Sequence, residues 1–147
     1  DLVQRPLSTI RYLIYASRDY LKKHGTPQKP EDLDKHRLIV YGGDSRPPVR
    51  QINWLTAIGA RPGYERRPIL TVNNHYAVYR AVESGLGIAA LPSFMDKETT
   101  DLVRILPELQ SPEVEAFFVY PEELRSSKRI GVFRDFLLRM VTQGKND

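Results

Sequence analysis

Short apolar runs alternate with helix-forming segments along most of this chain, and this alternation limits the folds that it can adopt. Residues 11–16 and 87–91 are largely apolar runs, and the first is rich in the aromatic and β-branched residues that strands favour. Strands that are buried on both faces of a parallel sheet have such continuous runs. Strands that alternate with helices are typical of βαβ units. We therefore predict an α/β fold built around a mostly parallel sheet.

Shorter patterns predict the remaining strands. A buried run at residues 38–41 ends in two glycines, and a second run at residues 69–72 leads into two asparagines. Residues 52–58 alternate between apolar and polar side chains well enough for a half-exposed strand. Two further strands are predicted at residues 102–106 and 116–120, and residues 94–99 have room for one helical turn.

Capping residues predict where the helices begin and end. Ser17 suits the N-cap of a short helix over residues 18–24, and Gly25 suits the positive-φ position that follows it. Pro30 opens a second short helix. A third helix carries Val78, Ala81 and Val82 on one face and ends at Gly85. The last helix follows Ser126 or Ser127, and its apolar stripe comprises Ile130, Phe133, Phe136, Leu137, Met140 and Val141.

The residue content excludes several classes of function. The chain has no cysteine and three histidines, His24, His36 and His75, whose spacing matches no zinc motif, so we expect no metal site. Nucleophile-elbow, P-loop and dinucleotide motifs are absent, so we expect neither catalytic residues nor a cofactor. The sequence lacks a long apolar run, so we predict no membrane span and a cytoplasmic location.

The charge distribution argues against direct contact with nucleic acid. The net charge is +4, but the basic residues are scattered, and the densest cluster, between Arg61 and Arg67, also contains Glu65. A nucleic-acid surface needs a concentrated basic patch, often with aromatic side chains between the charges. We therefore expect this chain not to bind DNA itself.

Polar residues at the ends of two predicted strands form the candidate site. Thr71, Asn73, Asn74 and His75 lie where a strand passes into a helix, and open α/β sheets bind ligands at this carboxyl edge. Tyr41, Gly42 and Gly43 end the neighbouring strand and are expected on the same edge.

Two plainer interpretations remain open for this site. Asn73 or Asn74 would act only as a helix cap, with His75 a partly exposed surface ring. The two glycines would be ordinary turn formers. Trp54, the sole tryptophan, fits the core or a domain contact better than a platform for a ligand.

Four segments together resemble the effector domain of LysR-type transcriptional regulators. They are ASRDYLKKHGTPQKPEDLDKHRLIVYG from Ala16, AVESGLGIAALPSFM from Ala81, LVRILP from Leu102, and FFVYP from Phe117 followed by SSKRIGVFRDFL. The first match is long and keeps its order, and together the four cover nearly the whole chain.

The resemblance implies an effector domain with two α/β lobes, like that of type 2 periplasmic binding proteins. By position, residues 17–115 form the second lobe, and residues 1–10 and 122–147 are remnants of the first lobe, including its C-terminal helix. Residues 11–16 and 116–121 would be the crossing strands. We expect the first part of this domain to be absent, together with the winged helix-turn-helix that precedes it.

A mechanism follows from the same resemblance. A small inducer, often an organic acid or an aromatic metabolite, would bind between the lobes of a homodimer or homotetramer. Only the missing N-terminal domain would contact DNA. The alternative is a solute-binding protein with the same two-lobe fold.

Overall fold

The computed structural model describes residues 1–42, 51–98 and 101–143. The chain divides into two compact units. Unit 1 comprises Asp1–Ile10 and Glu113–Asp147, and unit 2 comprises Arg11–Pro112. The regular elements are β1 (Leu2–Ser17), α1 (Arg18–His24), β2 (Ile39–Tyr41), β3 (Leu70–Val72), α2 (His75–Glu83), β4 (Ala89–Pro92), β5 (Leu102–Arg104), β6 (Glu113–Pro121) and α3 (Lys128–Gln143). Short 3₁₀ helices occupy Pro30–Lys35, Trp54–Thr56, Ser93–Glu98 and Glu122–Leu124.

Parallel and antiparallel pairings both occur in unit 2. β2 and β3 are parallel, with Val40 opposite Thr71, and a parallel bridge between Leu38 and Ile88 joins β2 to the residue before β4. β2 and β3 form a two-stranded sheet, β4 belongs to the sheet of β1 and β5, and this bridge places the two sheets side by side. β1, however, is antiparallel to β4 and to β5, so the prediction of a mostly parallel sheet is only half right. An apolar run reports burial on both faces and does not report strand direction.

The core of unit 2 lies on both faces of this sheet. Leu13 and Tyr15 pack with α2 on one face, and Ile14 and Ala16 pack with α1 and two 3₁₀ helices on the other. Successive side chains of a strand point to opposite faces, so a strand that is covered on both sides must be apolar throughout. This is why residues 11–16 form an uninterrupted run, and it confirms an α/β arrangement with a layer on each side of the sheet.

The segment that was predicted as a strand at residues 52–58 is a 3₁₀ helix flanked by turns. Ile52 and Leu55 are buried, and Ile58 packs against the same core cluster as Leu55. These three apolar residues are spaced three apart, which is the period of a 3₁₀ turn. The alternation of polar and apolar residues in so short a window was therefore misleading.

Unit 1 combines strand and helix. β6 pairs with β1, and the Glu122 N–H donates to the Asp1 carbonyl over 3.1 Å. The predicted last helix is present as α3, and its Phe133 ring meets the Phe118 ring edge-on at 5.8 Å. Several large apolar side chains of this unit are nevertheless exposed: Phe117, Val119, Leu124, Val132, Phe133, Phe136, Leu138 and Met140.

Candidate functional site

The carboxyl ends of β2 and β3 lie side by side in unit 2. The Gly42 N–H donates to the Val72 carbonyl over 2.9 Å, and this hydrogen bond joins the residue after β2 to the end of β3. A Cβ atom on Gly42 would lie 2.9 Å from the Thr71 methyl carbon, so glycine allows this close approach. Thr71 and Asn73 are exposed at the same edge. Gly43 lies outside the described residues.

Asn74 is the N-cap of α2. Its Oδ1 accepts hydrogen bonds from the backbone N–H groups of Tyr76 (2.8 Å) and Ala77 (3.2 Å). A cap of this kind satisfies donors that have no partner inside the helix. The interpretation of an asparagine as a cap is therefore confirmed for Asn74, whose side-chain oxygen is used inside the helix. The exposed Asn73 side chain remains the amide at this edge that the cap leaves available.

The His75 ring is partly buried between two tyrosines. The Tyr12 hydroxyl lies 3.3 Å from His75 Nε2, within hydrogen-bond distance, and the Tyr41 and His75 ring centroids are 4.8 Å apart. Tyr41 and His75 were predicted to share this edge, and the structure brings them together. Tyr12 was not predicted, because only the folded chain brings residues 12 and 75 together. A tyrosine inside a buried apolar run is itself a signal, since its hydroxyl needs a partner.

Burial sets the ionisation of this cluster. Loss of solvent lowers the pKa of His75 below its usual 6.5, which favours the neutral imidazole at neutral pH. Burial, and then the proximity of Tyr41, raises the pKa of Tyr12, so its hydroxyl stays protonated. Neutral imidazole and phenol groups each offer both a donor and an acceptor. The cluster can therefore form hydrogen bonds and ring contacts with a ligand without carrying a charge of its own.

Two neighbouring residues of the 52–58 segment contact the main chain of these tyrosines. Asn53 pairs with both backbone groups of Tyr41: its Oδ1 accepts from the N–H (3.0 Å), and its Nδ2 donates to the carbonyl (2.5 Å). Trp54 Nε1 donates to the Tyr12 carbonyl over 3.2 Å. Trp54 also packs against the core, as predicted. Sequence reasoning missed the polar contacts because the segment was assigned to a strand.

Other polar groups of unit 2 have structural roles. Ser17 accepts a hydrogen bond from the Tyr20 N–H over 3.2 Å, which confirms the predicted cap. Arg66 is only 4% exposed, and its guanidinium donates to Asp34 (2.6 Å) and to the Ile58 carbonyl (2.7 Å). It lines an open cavity of about 310 Å³ with Glu65 and Arg67 among others, but its own charge is already paired.

The described ranges contain neither a metal-binding cluster nor a membrane-spanning helix. Within residues 1–42, 51–98 and 101–143, no group of three side chains of the metal-binding types could hold an ion. Over the same ranges, no helix has both the length and the apolar content that crossing a bilayer requires.

Comparison with known proteins gives one consistent result. A family model described as the LysR substrate binding domain matches residues 1–142. An uncharacterized HTH-type transcriptional regulator of Haemophilus influenzae is 32% identical over 125 residues, covering 82% of this chain and 42% of the relative. The HTH-type transcriptional regulator CrgA of Neisseria meningitidis is 30% identical, covering 91% of this chain and 45% of the relative. The solved regulatory domain of CrgA superposes with a TM-score of 0.75 at 27% identity, covering 95% of this chain and 69% of that domain.

Proposed function

This chain belongs to the LysR substrate binding domain family, and from that membership we propose that unit 2 carries part of the site at which a transcriptional regulator senses a small metabolite. The chain spans less than half the length of the two relatives described above. We therefore assign DNA binding to a helix-turn-helix domain elsewhere in the same protein. The matched relatives are transcriptional regulators, which favours this function over the alternative of a solute-binding protein. A regulator of transcription works where the DNA is, so we expect it in the cytoplasm.

One observation supports the location of the site most directly. His75, Tyr41 and Tyr12 come from three different elements and meet at the edge where β2 and β3 end. Thr71 and Asn73 add an exposed hydroxyl and amide at the same edge. We propose that Thr71, Asn73 and His75 contact the effector, with Tyr41, Gly42 and Gly43 beside them and Asn74 fixing the helix below. The matched relatives are transcriptional regulators, so we propose a binding role for these groups rather than a catalytic one.

The lobe assignment is part of the same proposal. Residues 17–115 would be the second lobe of the sensing domain, and residues 1–10 and 122–147 would belong to the first. An effector shifts the balance between two states only by its difference in affinity for them. In a homodimer or homotetramer of the whole regulator, such a shift would change how the DNA-binding domains are presented.

The test is a double variant of the full-length regulator. Thr71→Val removes a hydroxyl with little change in volume, and Asn73→Ala removes an exposed amide. A metabolite panel is first screened on the parent protein by thermal shift, because an effector at 100 times its dissociation constant stabilises by about 2.7 kcal/mol. We expect the double variant to bind its promoter normally and to lose the response to the metabolite found in this way.

Thr26→Val is a suitable control, because Thr26 is also exposed and lies in the loop after α1. It should leave both promoter binding and the response unchanged. If the Thr71/Asn73 double variant responds with the parent's dose curve, the effector binds elsewhere and the proposed site is wrong.

A further inference from the structure

The 3₁₀ segment in unit 2 holds two tyrosines through adjacent side chains. Asn53 forms hydrogen bonds to the N–H and the carbonyl of Tyr41, and Trp54 forms one to the carbonyl of Tyr12. Both tyrosines contact the His75 ring, Tyr12 through its hydroxyl at 3.3 Å and Tyr41 through its ring at 4.8 Å. Two consecutive residues, Asn53 and Trp54, therefore each hold the backbone of one of the two tyrosines that contact the His75 ring.

The Asn53 contact is a substitute for a strand pairing. Its amide meets both backbone groups of Tyr41, as a neighbouring strand would in a sheet, so the backbone of Tyr41 is fixed in position and in rotation. A fixed backbone restricts the side chain to its few staggered rotamers. The Tyr41 ring can therefore leave His75 only by changing to another rotamer.

The segment itself is anchored in the core of unit 2. Ile52 and Leu55, on either side of the two polar residues, are 2% and 1% exposed, and Trp54 packs against the same core cluster as Leu55. Moving the segment would open the core, which costs free energy for every apolar group exposed. Through their hydrogen bonds, Asn53 and Trp54 thus connect the backbones of the two tyrosines to a segment that is anchored in the core of unit 2.

We infer that Asn53 and Trp54 are positioning residues of the effector site, which hold Tyr41 and Tyr12 against His75 without contacting the effector themselves. The assignment to an effector site rests on the function proposed above. The positioning itself depends only on contacts within unit 2.

The environment of His75 provides the readout. Among the described residues, Tyr12 on β1 and Tyr41 on β2 lie against this ring, and both side chains are phenols. When either tyrosine is released, water reaches the imidazole and the charged form becomes less costly. The pKa of His75 should then rise towards 6.5.

The experiment compares Trp54→Phe and Asn53→Ala with the parent in the full-length protein. Trp54→Phe keeps an aromatic ring and removes only the N–H donor. Exchange of the imidazole C2 hydrogen for deuterium, followed peptide by peptide in a mass spectrometer across a pH series, reports the pKa of His75 in an assembly of any size. We expect both variants to raise that pKa by roughly half a pH unit. His36 lies in the same unit and should titrate as in the parent.

Leu55→Val is the matched control, because it loosens the same segment without removing a hydrogen bond to either tyrosine. It should leave the pKa of His75 unchanged. An unchanged pKa in the Asn53 and Trp54 variants, or an equal rise in Leu55→Val, would overturn the inference. If one variant fails to fold, the other decides.

The readout needs no effector, so it separates the two proposals. A rise in the pKa of His75, together with a normal metabolite response of the Thr71/Asn73 variant, would support the positioning role of Asn53 and Trp54. It would refute the assignment of these residues to the effector site. An unchanged pKa with a lost response would do the reverse.

Discussion

His36 is held beside the hydroxyl of the buried Tyr20. The Arg37 N–H donates to this hydroxyl over 3.0 Å, and the hydroxyl lies 3.0 Å from His36 Nδ1. The hydroxyl can donate its own proton to Nδ1 when that nitrogen is unprotonated. Burial, and then the charge of His24, lowers the pKa of His36 below 6.5, which favours the same neutral form.

The stability of the chain should therefore decrease in mild acid. His36 has a lower pKa in the folded state than the usual 6.5, so the unfolded state takes up the proton first as the pH falls. The free energy of unfolding should be unaffected above about pH 6.5 and should decrease below it, until the folded form also titrates. His36→Asn, which keeps an acceptor near Nδ1, should show a smaller loss between pH 7 and pH 5 in denaturation curves.

His75 should contribute in the same direction, because burial lowers its pKa as well. Part of the acid sensitivity should thus remain in His36→Asn. Identical pH dependence in the parent and the variant would show that the Tyr20–His36 contact does not control stability in this range.

Local sequence rules were reliable for single residues. Ser17 caps α1 as predicted, and Gly25 has a φ of +81°, in the region where only glycine is unstrained. Such features depend on a few neighbouring residues, so a sequence reports them directly. Tyr12 was missed for the opposite reason, because its partner His75 is far away in sequence.

At the scale of elements, two stretches of backbone approach each other closely at Gly87. The Ile88 N–H donates to the Arg37 carbonyl (2.8 Å), and the Ile39 N–H donates to the Ile88 carbonyl (2.9 Å), which joins β2 to the start of β4. A Cβ atom at Gly87 would lie 2.4 Å from the Arg37 carbonyl oxygen. Two backbones are thus in contact here, with no room for a side chain.

Gly87→Ala should consequently destabilise unit 2. The clash is with backbone atoms that cannot rotate away, so the strands must separate, and we expect a loss of about 2 kcal/mol or more in the free energy of unfolding. Gly131→Ala is the matched control, because a Cβ atom there meets nothing within 4 Å inside α3. It should be neutral or stabilise slightly. Equal denaturation midpoints for the two variants would refute the steric explanation.

The order of the elements could largely be predicted, but their pairing could not. Each run that was assigned to a strand, apart from residues 52–58, contains one, because apolar runs and capping residues are local signals. Strand direction depends on contacts that a local pattern does not encode, and so the antiparallel pairing of β1 was missed. The error at residues 52–58 also hid Asn53 and Trp54, two of the residues that surround the candidate site.

At the scale of the molecule, the apolar surface of unit 1 is its most conspicuous feature. Val132, Phe133, Phe136 and Met140 of α3 are each about half exposed or more. Burying one such side chain contributes roughly 1.5–3 kcal/mol, so several of them exposed together favour association. We propose that further polypeptide of the regulator covers this surface. The proposal agrees with the structural comparison, in which the chain covers 69% of the CrgA regulatory domain and the remainder of that domain has no counterpart in this chain.

Residues 1–147 expressed alone should therefore associate in solution and show no sequence-specific DNA binding at physiological salt. Mass measurement by light scattering and promoter binding in a salt series test the two halves of this prediction. The double variant Val132→Lys/Phe136→Glu should move the population towards the monomer, because it places charges on the exposed face. Arg129→Gln/Arg139→Gln, on exposed positions of the same helix, should not.

A monomeric parent chain with a cooperative melt would show that unit 1 needs no covering segment. Binding to the promoter in preference to unrelated DNA would show that this chain itself reads sequence, against the scattered arrangement of its basic residues.

Unit 1 is built from two stretches that lie far apart in sequence, so the ribosome makes them at different times. Asp1–Ile10 and Glu113–Asp147 are separated by the whole of unit 2, about a hundred residues of translation. At 5–20 residues per second, the first stretch waits roughly 5–20 s before β6 leaves the ribosome. During this interval β1 lacks its partner β6, while unit 2, which is continuous in sequence, can already fold. Unit 1 is therefore completed only after the whole of unit 2 has been synthesised.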